Sequence, residues 1–125
     1  MALDPTLVVG RLFEELAAEN FDFTITLTDG EDPDRWVQLR AGSINIPYPY
    51  GDPPQETLPP MDLFGTVTWS VDSWEPGRYA TIDWGVDTGP AREDERRVLT
   101  RLLTRMLEGY HGVPVDSGRW TVEEE

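Results

Sequence analysis

Apolar residues recur at helical spacing near the start of the chain: Leu7, Val8, Leu12 and Leu16, with Val9 and Phe13 beside them. That stripe predicts an amphipathic helix from Pro5 to about Glu19, with Arg11, Glu14, Glu15 and Glu19 on its wet side. Asp4 followed by Pro5 suits the helix start. The Asp oxygen can accept from an orphan amide, and proline at the first helical position sacrifices no intrahelical bond. Asn20 is the expected stop. The period then drops to two: Phe21, Phe23, Ile25 and Leu27 alternate with Asp22, Thr24, Thr26 and Thr28, as in a strand with one buried face. Asp-Gly and Asp-Pro turn chemistry over residues 29–34, then an extended pattern over 35–40, predict a hairpin. In it Val37 and Leu39 face inward, while Trp36, Gln38 and Arg40 face out. A short third strand is expected over 43–46.

Six of the fourteen residues from Pro47 to Pro60 are proline, a density that forbids helix and removes ladder donors. This stretch reads as an extended, partly polyproline-like loop, and nothing local obliges its Tyr48 and Tyr50 to be buried. A second hairpin follows, with Val67, Trp69 and Val71 on one face of its first strand and Ala80, Ile82, Trp84 and Val86 on one face of its second. Residues 73–77 form the expected connection. Thr88, Gly89 and Pro90 announce a second long helix, whose apolar stripe is Val98, Leu99, Leu102, Leu103, Met106 and Tyr110, with a stop near Gly112. Val113 and Val115, a Ser117-Gly118 turn, and Trp120 with Val122 suggest a closing strand before a frayed acidic tail at 123–125. Alternation within the strands leaves one sheet face wet. The expected architecture is therefore a single α+β domain over 1–125: a two-layer sandwich of a mainly antiparallel sheet, four to six strands, with the N- and C-terminal helices packed on one face. In element order this is similar to the small chaperones of bacterial secretion systems, although the proline loop stands where those proteins have a helix.

Composition changes the picture in two ways. The 125 residues carry 24 acids, ten bases and a net charge of -14, so the field repels nucleic acid and anionic membranes and favours basic partners or cations. All the bases are arginine, a choice that reads as coding bias or salt adaptation of the host. No cysteine is present, which excludes disulfides, thiolate metal sites and cysteine nucleophiles and fits a reducing, cytoplasmic setting. Residues 1–6 lack a basic n-region and an apolar h-region, and no run approaches a membrane span, so neither a leader nor an anchor is expected.

The catalytic inventory is thin. The single histidine, His111, is expected to complement a helix dipole or to lie exposed. Asp116, Ser117 and His111 are neighbours in sequence, whereas triad members converge from separate elements. The acidic run Asp29-Gly-Glu-Asp-Pro-Asp34 lacks the glycine and the bidentate glutamate of a calcium loop and reads as a solvated hairpin turn. Asp72 and Asp83 read as surface aspartates of the second hairpin rather than a glycosidase pair. No phosphate-binding glycine motif occurs. No catalytic residue, metal ligand or cofactor is assigned.

Two groups remain as candidate partner-binding residues. Arg97, Arg101 and Arg105 form an i, i+4, i+8 stripe, with Glu93 four residues before Arg97 in the order that stabilises a helix. Trp36, Trp74, Tyr48 and Tyr50 fall outside the inward pattern, whereas Trp69 and Trp84 fall within it. Aromatic rings with acids around them are what interfaces use as anchors and rim. The leading expectation is a non-enzymatic acidic binding protein, an inhibitor, immunity-type protein or dedicated chaperone, docking on a basic protein. The alternatives are a self-associating subunit of a larger assembly, such as a virion or secretion apparatus, and a DNA mimic. An enzyme ranks last.

Overall fold

The computed structural model describes residues 2–59, 69–83 and 92–125, with residues 92–95 described in backbone only. Helix α1 (Pro5–Ala17) opens on Asp4, whose side chain accepts from the Thr6 amide, with proline in the first turn. Its end is a Schellman turn: Glu19 N–H bonds to the Leu16 carbonyl and Asn20 N–H to that of Glu15. Glu19, not Asn20, takes the left-handed conformation, at φ 62°, which glycine would occupy without strain.

Six strands follow: β1 (Ile25–Asp29), β2 (Asp32–Arg40), β3 (Ser43–Tyr48), β4 (Ser70–Glu75), β5 (Arg78–Asp83) and β6 (Trp120–Glu124). They form one antiparallel sheet in the order β4-β5-β3-β2-β1-β6. A short helix α2 (Pro54–Thr57) lies between β3 and β4. Helix α3 (Arg92–Arg105) runs into a π-helical turn, Met106–Tyr110, before β6.

The alternation read from β1 and β2 sets the buried face. Ile25, Leu27, Val37, Leu39, Ile44, Ile46, Ala80 and Ile82 point to it and are fully or almost fully buried. Val9 and Leu12 of α1, and Leu99, Leu102, Leu103 and Met106 of α3 and its π-helical turn, cover them, so both long helices lie on one face of the sheet. No helix among the described residues covers the opposite face. Among the described residues, no helix is long and apolar enough to cross a membrane.

Several boundaries differ from expectation. The first strand begins at Ile25, and Phe21 is exposed. The second hairpin turns at Pro76-Gly77 with Gly77 at φ 74°; proline presets one turn residue and glycine takes the left-handed one. Residues 73–75 therefore belong to β4. Within the proline-rich stretch, Pro53 and Pro54 start α2, because proline costs nothing in a first helical turn. The tail is not frayed: Glu123 and Glu124 pair with Thr26 and Ile25, and the Glu125 backbone exchanges bonds of 2.9 and 3.1 Å with Thr24. The expectations for Val67, Trp84, Val86, the helix start at 88–90 and the Glu93 side chain lie outside the described residues.

Candidate functional site

The site begins where a proline stops a ladder. β2 and β3 meet across the turn Ala41-Gly42 and pair only through Arg40–Ser43, Leu39–Ile44 and Gln38–Asn45. In an antiparallel ladder hydrogen-bonded and non-hydrogen-bonded pairs alternate, so Trp36 and Pro47 stand where the next hydrogen-bonded pair would form. Pro47 has no N–H to give the Trp36 carbonyl. The donor comes instead from the far end of the chain: His111 Nε2 lies 3.0 Å from the Trp36 oxygen. Since a carbonyl only accepts, Nε2 carries the proton and Nδ1 is left as the acceptor. The Pro47 carbonyl accepts in turn from the Tyr110 hydroxyl at 2.6 Å. Tyr110 and His111, at the end of the π-helical turn, thus cap two carbonyls left where the β2–β3 ladder ends.

Their surroundings shift both groups. Burial holds the His111 imidazole below its usual range and outweighs the opposing bond to the Trp36 carbonyl; Arg35 lowers it further, and Asp29 and Asp32 pull it up. Burial, with Tyr50 and Tyr48 nearby, pushes the Tyr110 phenol up. At neutral pH both are uncharged hydrogen-bond donors. This corrects the expectation for His111: it is half-buried and neutral, neither an imidazolium complementing the helix dipole nor an exposed ring.

A cavity of about 480 Å³ opens beside them. Trp36, Tyr48, Tyr50, Tyr110 and His111 form its ring-bearing wall, with Asp34, Arg35 and Arg78 as charged lining. Both arginines are engaged by acids: Arg35 lies 3.5 Å from Asp32 and 3.6 Å from Asp29, and Arg78 lies 3.2 Å from Glu75.

The residues singled out from the sequence divide between this cavity and elsewhere. Trp36 and Tyr50 line it, and Tyr50 keeps 40% of its surface exposed. Tyr48 also lines it but is buried rather than outward: its hydroxyl donates to the Asp52 carbonyl and lies 2.9 Å from Thr57 Oγ1, because α2 folds back over the sheet. Trp74 lies in β4 rather than in a turn, on the core-facing side opposite Ala80, with its ring 5.8 Å from that of Tyr48. Trp69 packs against the core as expected. Arg97 and Arg101 line a different groove with Thr6, Arg96 and Thr100, and Arg105 lies exposed one turn further along α3. Tyr110 and His111 were not anticipated as site residues. Their signal was indirect: a proline, Pro47, placed where a strand needs a donor.

Asp29 is buried, not solvated: Arg119 grips it through Nε at 3.1 Å and Nη2 at 2.6 Å, and the Glu31 amide donates to it at 3.0 Å. The Arg119 hydrogen bonds are the main reason its carboxyl titrates below the usual range, against the opposing effect of burial. Asp83 is pushed up by burial and by the charge of Asp72. Ser117 Oγ accepts from the Arg119 amide at 3.2 Å, in a turn. Among the described residues no three acids or histidines gather into a metal-binding group.

Comparison with protein-family models, with curated proteins and with solved structures returns no match. The likeness to secretion chaperones rests on element order alone.

Proposed function

We propose that the chain is a non-enzymatic binding protein that docks on a basic protein partner through the corner formed by Trp36, Tyr50 and Asp34. The observation that carries this reading is the convergence of Trp36 and Tyr50, from separate segments, on one cavity whose arginines are already engaged by acids. A partner's lysine or arginine would find ring faces and carboxylates there, a combination that favours cation–π contact and charge steering. His111 and Tyr110 each hold a backbone carbonyl at the end of the β2–β3 ladder, a structural use that supports the binding reading. The net charge of -14 would speed encounter with a basic protein and make it salt-sensitive.

The test is capture of the partner from a host extract by the natural chain and by a Trp36→Ala/Tyr50→Ala variant. A basic protein held by the natural chain, with affinity falling as salt rises and about tenfold or more weaker for the variant, is the expected outcome. An acidic protein, or one bound equally by both chains, would overturn the reading.

Self-association is the second reading, and one feature favours it. The groove of Arg96, Arg97 and Arg101 between α1 and α3 is opposite in sign to the acidic β6 edge, so a copy's edge would complement it head to tail. Concentration-dependent sedimentation that salt abolishes would support this second reading, and a monomer at high concentration would remove it.

A further inference from the structure

One row of side chains crosses the open face of the whole sheet. Strand pairing sets Glu123, Thr26, Gln38, Asn45, Thr81 and Ser73 side by side, one from each of the six strands. The four central ones are linked in a single direction. Thr81 Oγ1 donates to Asn45 Oδ1 at 2.6 Å, Asn45 Nδ2 to Gln38 Oε1 at 2.7 Å, and Gln38 Nε2 to Thr26 Oγ1 at 3.3 Å.

The choice of residues is informative. The chain has only four carboxamide side chains, Asn20, Gln38, Asn45 and Gln55, against 24 carboxylates. Two of the four stand directly opposite each other here. Solubility of a wet sheet face requires only polarity, which hydroxyl or charged side chains would supply without a carboxamide. Each carboxamide offers two hydrogens and two lone pairs, and the relay uses one of each, so a fixed donor and a fixed acceptor remain at both positions. Neighbouring groups that both give and accept match vicinal hydroxyls.

The adjacent row on the same face completes the match. Trp36, Pro47 and Tyr79 lie two residues along their strands from Gln38, Asn45 and Thr81, and Pro47 pairs directly with Tyr79. They form a shelf of rings beside the relay. The electron-rich faces of aromatic rings attract the polarised C–H groups of a pyranose. A depression of about 500 Å³ spans the two rows, lined by Trp36, Tyr79 and the four relay residues, with Arg78 as the one charged lining residue among the described residues. That volume lies in the range of ligand sites, and Arg78 is held by Glu75 at 3.2 Å. Nucleic acid, the other ligand that stacks on rings, is repelled by the acid surplus. A peptide strand adding to the sheet needs an edge, and this is a face.

We propose that this face binds a neutral oligosaccharide, with Trp36 and Tyr79 stacking on sugar rings and Gln38 and Asn45 bonding to hydroxyls. The site is independent of the protein-docking reading, although Trp36 borders both. The test follows the four side-chain amide signals by NMR while hexasaccharides of β-1,4-glucose, α-1,4-glucose, β-1,4-mannose and β-1,4-N-acetylglucosamine are titrated to about 10 mM, where a site of millimolar affinity is nearly filled. At least one sugar should shift Gln38 and Asn45 while Asn20 and Gln55 stay still. Tyr79→Ala should weaken that sugar about tenfold, and Tyr50→Ala, which touches only the docking corner, should not. No shift from any of the four sugars, or equal shifts at all four amides, overturns the proposal. So does unchanged affinity in Tyr79→Ala with its backbone spectrum intact.

Discussion

His111 follows the last helical turn, where the negative end of the helix dipole would favour an imidazolium. Its ring instead sits 5.0 Å from that of Tyr110 and 5.9 Å from that of Trp120, and burial prevails over the dipole. The consequence for stability has a definite sign. With the folded-state pKa below the unfolded value of about 6.5, the unfolded chain takes up a proton first. The contribution of this group is complete above about pH 6.5 and is lost as the pH falls through the lowered folded value. Thermal midpoints taken from about pH 7.5 to 5 should therefore drop more steeply for the natural chain than for His111→Gln, which keeps a donor for the Trp36 carbonyl but does not titrate. Parallel curves would contradict the assignment. The sequence could not show this bond, because its partners lie 75 residues apart. Local reading sees a helix end; the missing amide of Pro47 becomes a vacancy for His111 only once β2 and β3 are paired. Asp29 was opaque for the same reason, since the Arg119 that buries its charge lies 90 residues away.

At the scale of elements, the proline-rich segment is tied down by one phenol. Tyr48 closes β3, and its hydroxyl reaches back to the Asp52 carbonyl and to Thr57 in α2. Tyr48→Phe should cost about 0.5–1.5 kcal/mol and speed hydrogen exchange at the amides of Glu56, Thr57 and Leu58, which bond to Pro53 and Pro54 carbonyls. Exchange left unchanged there would mean that the segment holds itself. The strands were legible wherever one face is buried: Val37 and Leu39 in, Trp36 and Gln38 out, follows from a period of two alone. Both long helices were legible from their stripes and from Asp4-Pro5. What resisted reading was structure without periodicity. Four residues of helix after Pro53, a two-residue turn at Pro76-Gly77 and the pairing of an all-glutamate tail carry no repeating pattern. The tail in particular reads as solvated, yet its backbone bonds to Thr24 and its pairing with Ile25 and Thr26 are indifferent to the charges outside them.

For the molecule as a whole, the sandwich follows from alternation, whereas the strand order does not: β3 beside β5, and β6 beside β1, are long-range pairings with no local signature. That order decides where the acids fall. The outer strands carry Asp72 and Glu75 in β4 and Glu123 and Glu124 in β6, charges that discourage strand addition at either edge. Both proposed recognition sites accordingly lie on the sheet face opposite the helices and at the corner at its end. Of the candidate binding residues, the structure gathers Trp36, Tyr48 and Tyr50 at that corner, sets Trp74 behind them, and puts the arginine stripe elsewhere. The most direct measurement is a hydrogen-exchange footprint of the chain in complex with its captured basic partner. The docking account expects protection over 34–36, 47–50, 77–78 and 110–111, fading as salt rises, with α3 unaffected at 96–105. Protection confined to α3, or to the β6 edge, would contradict it.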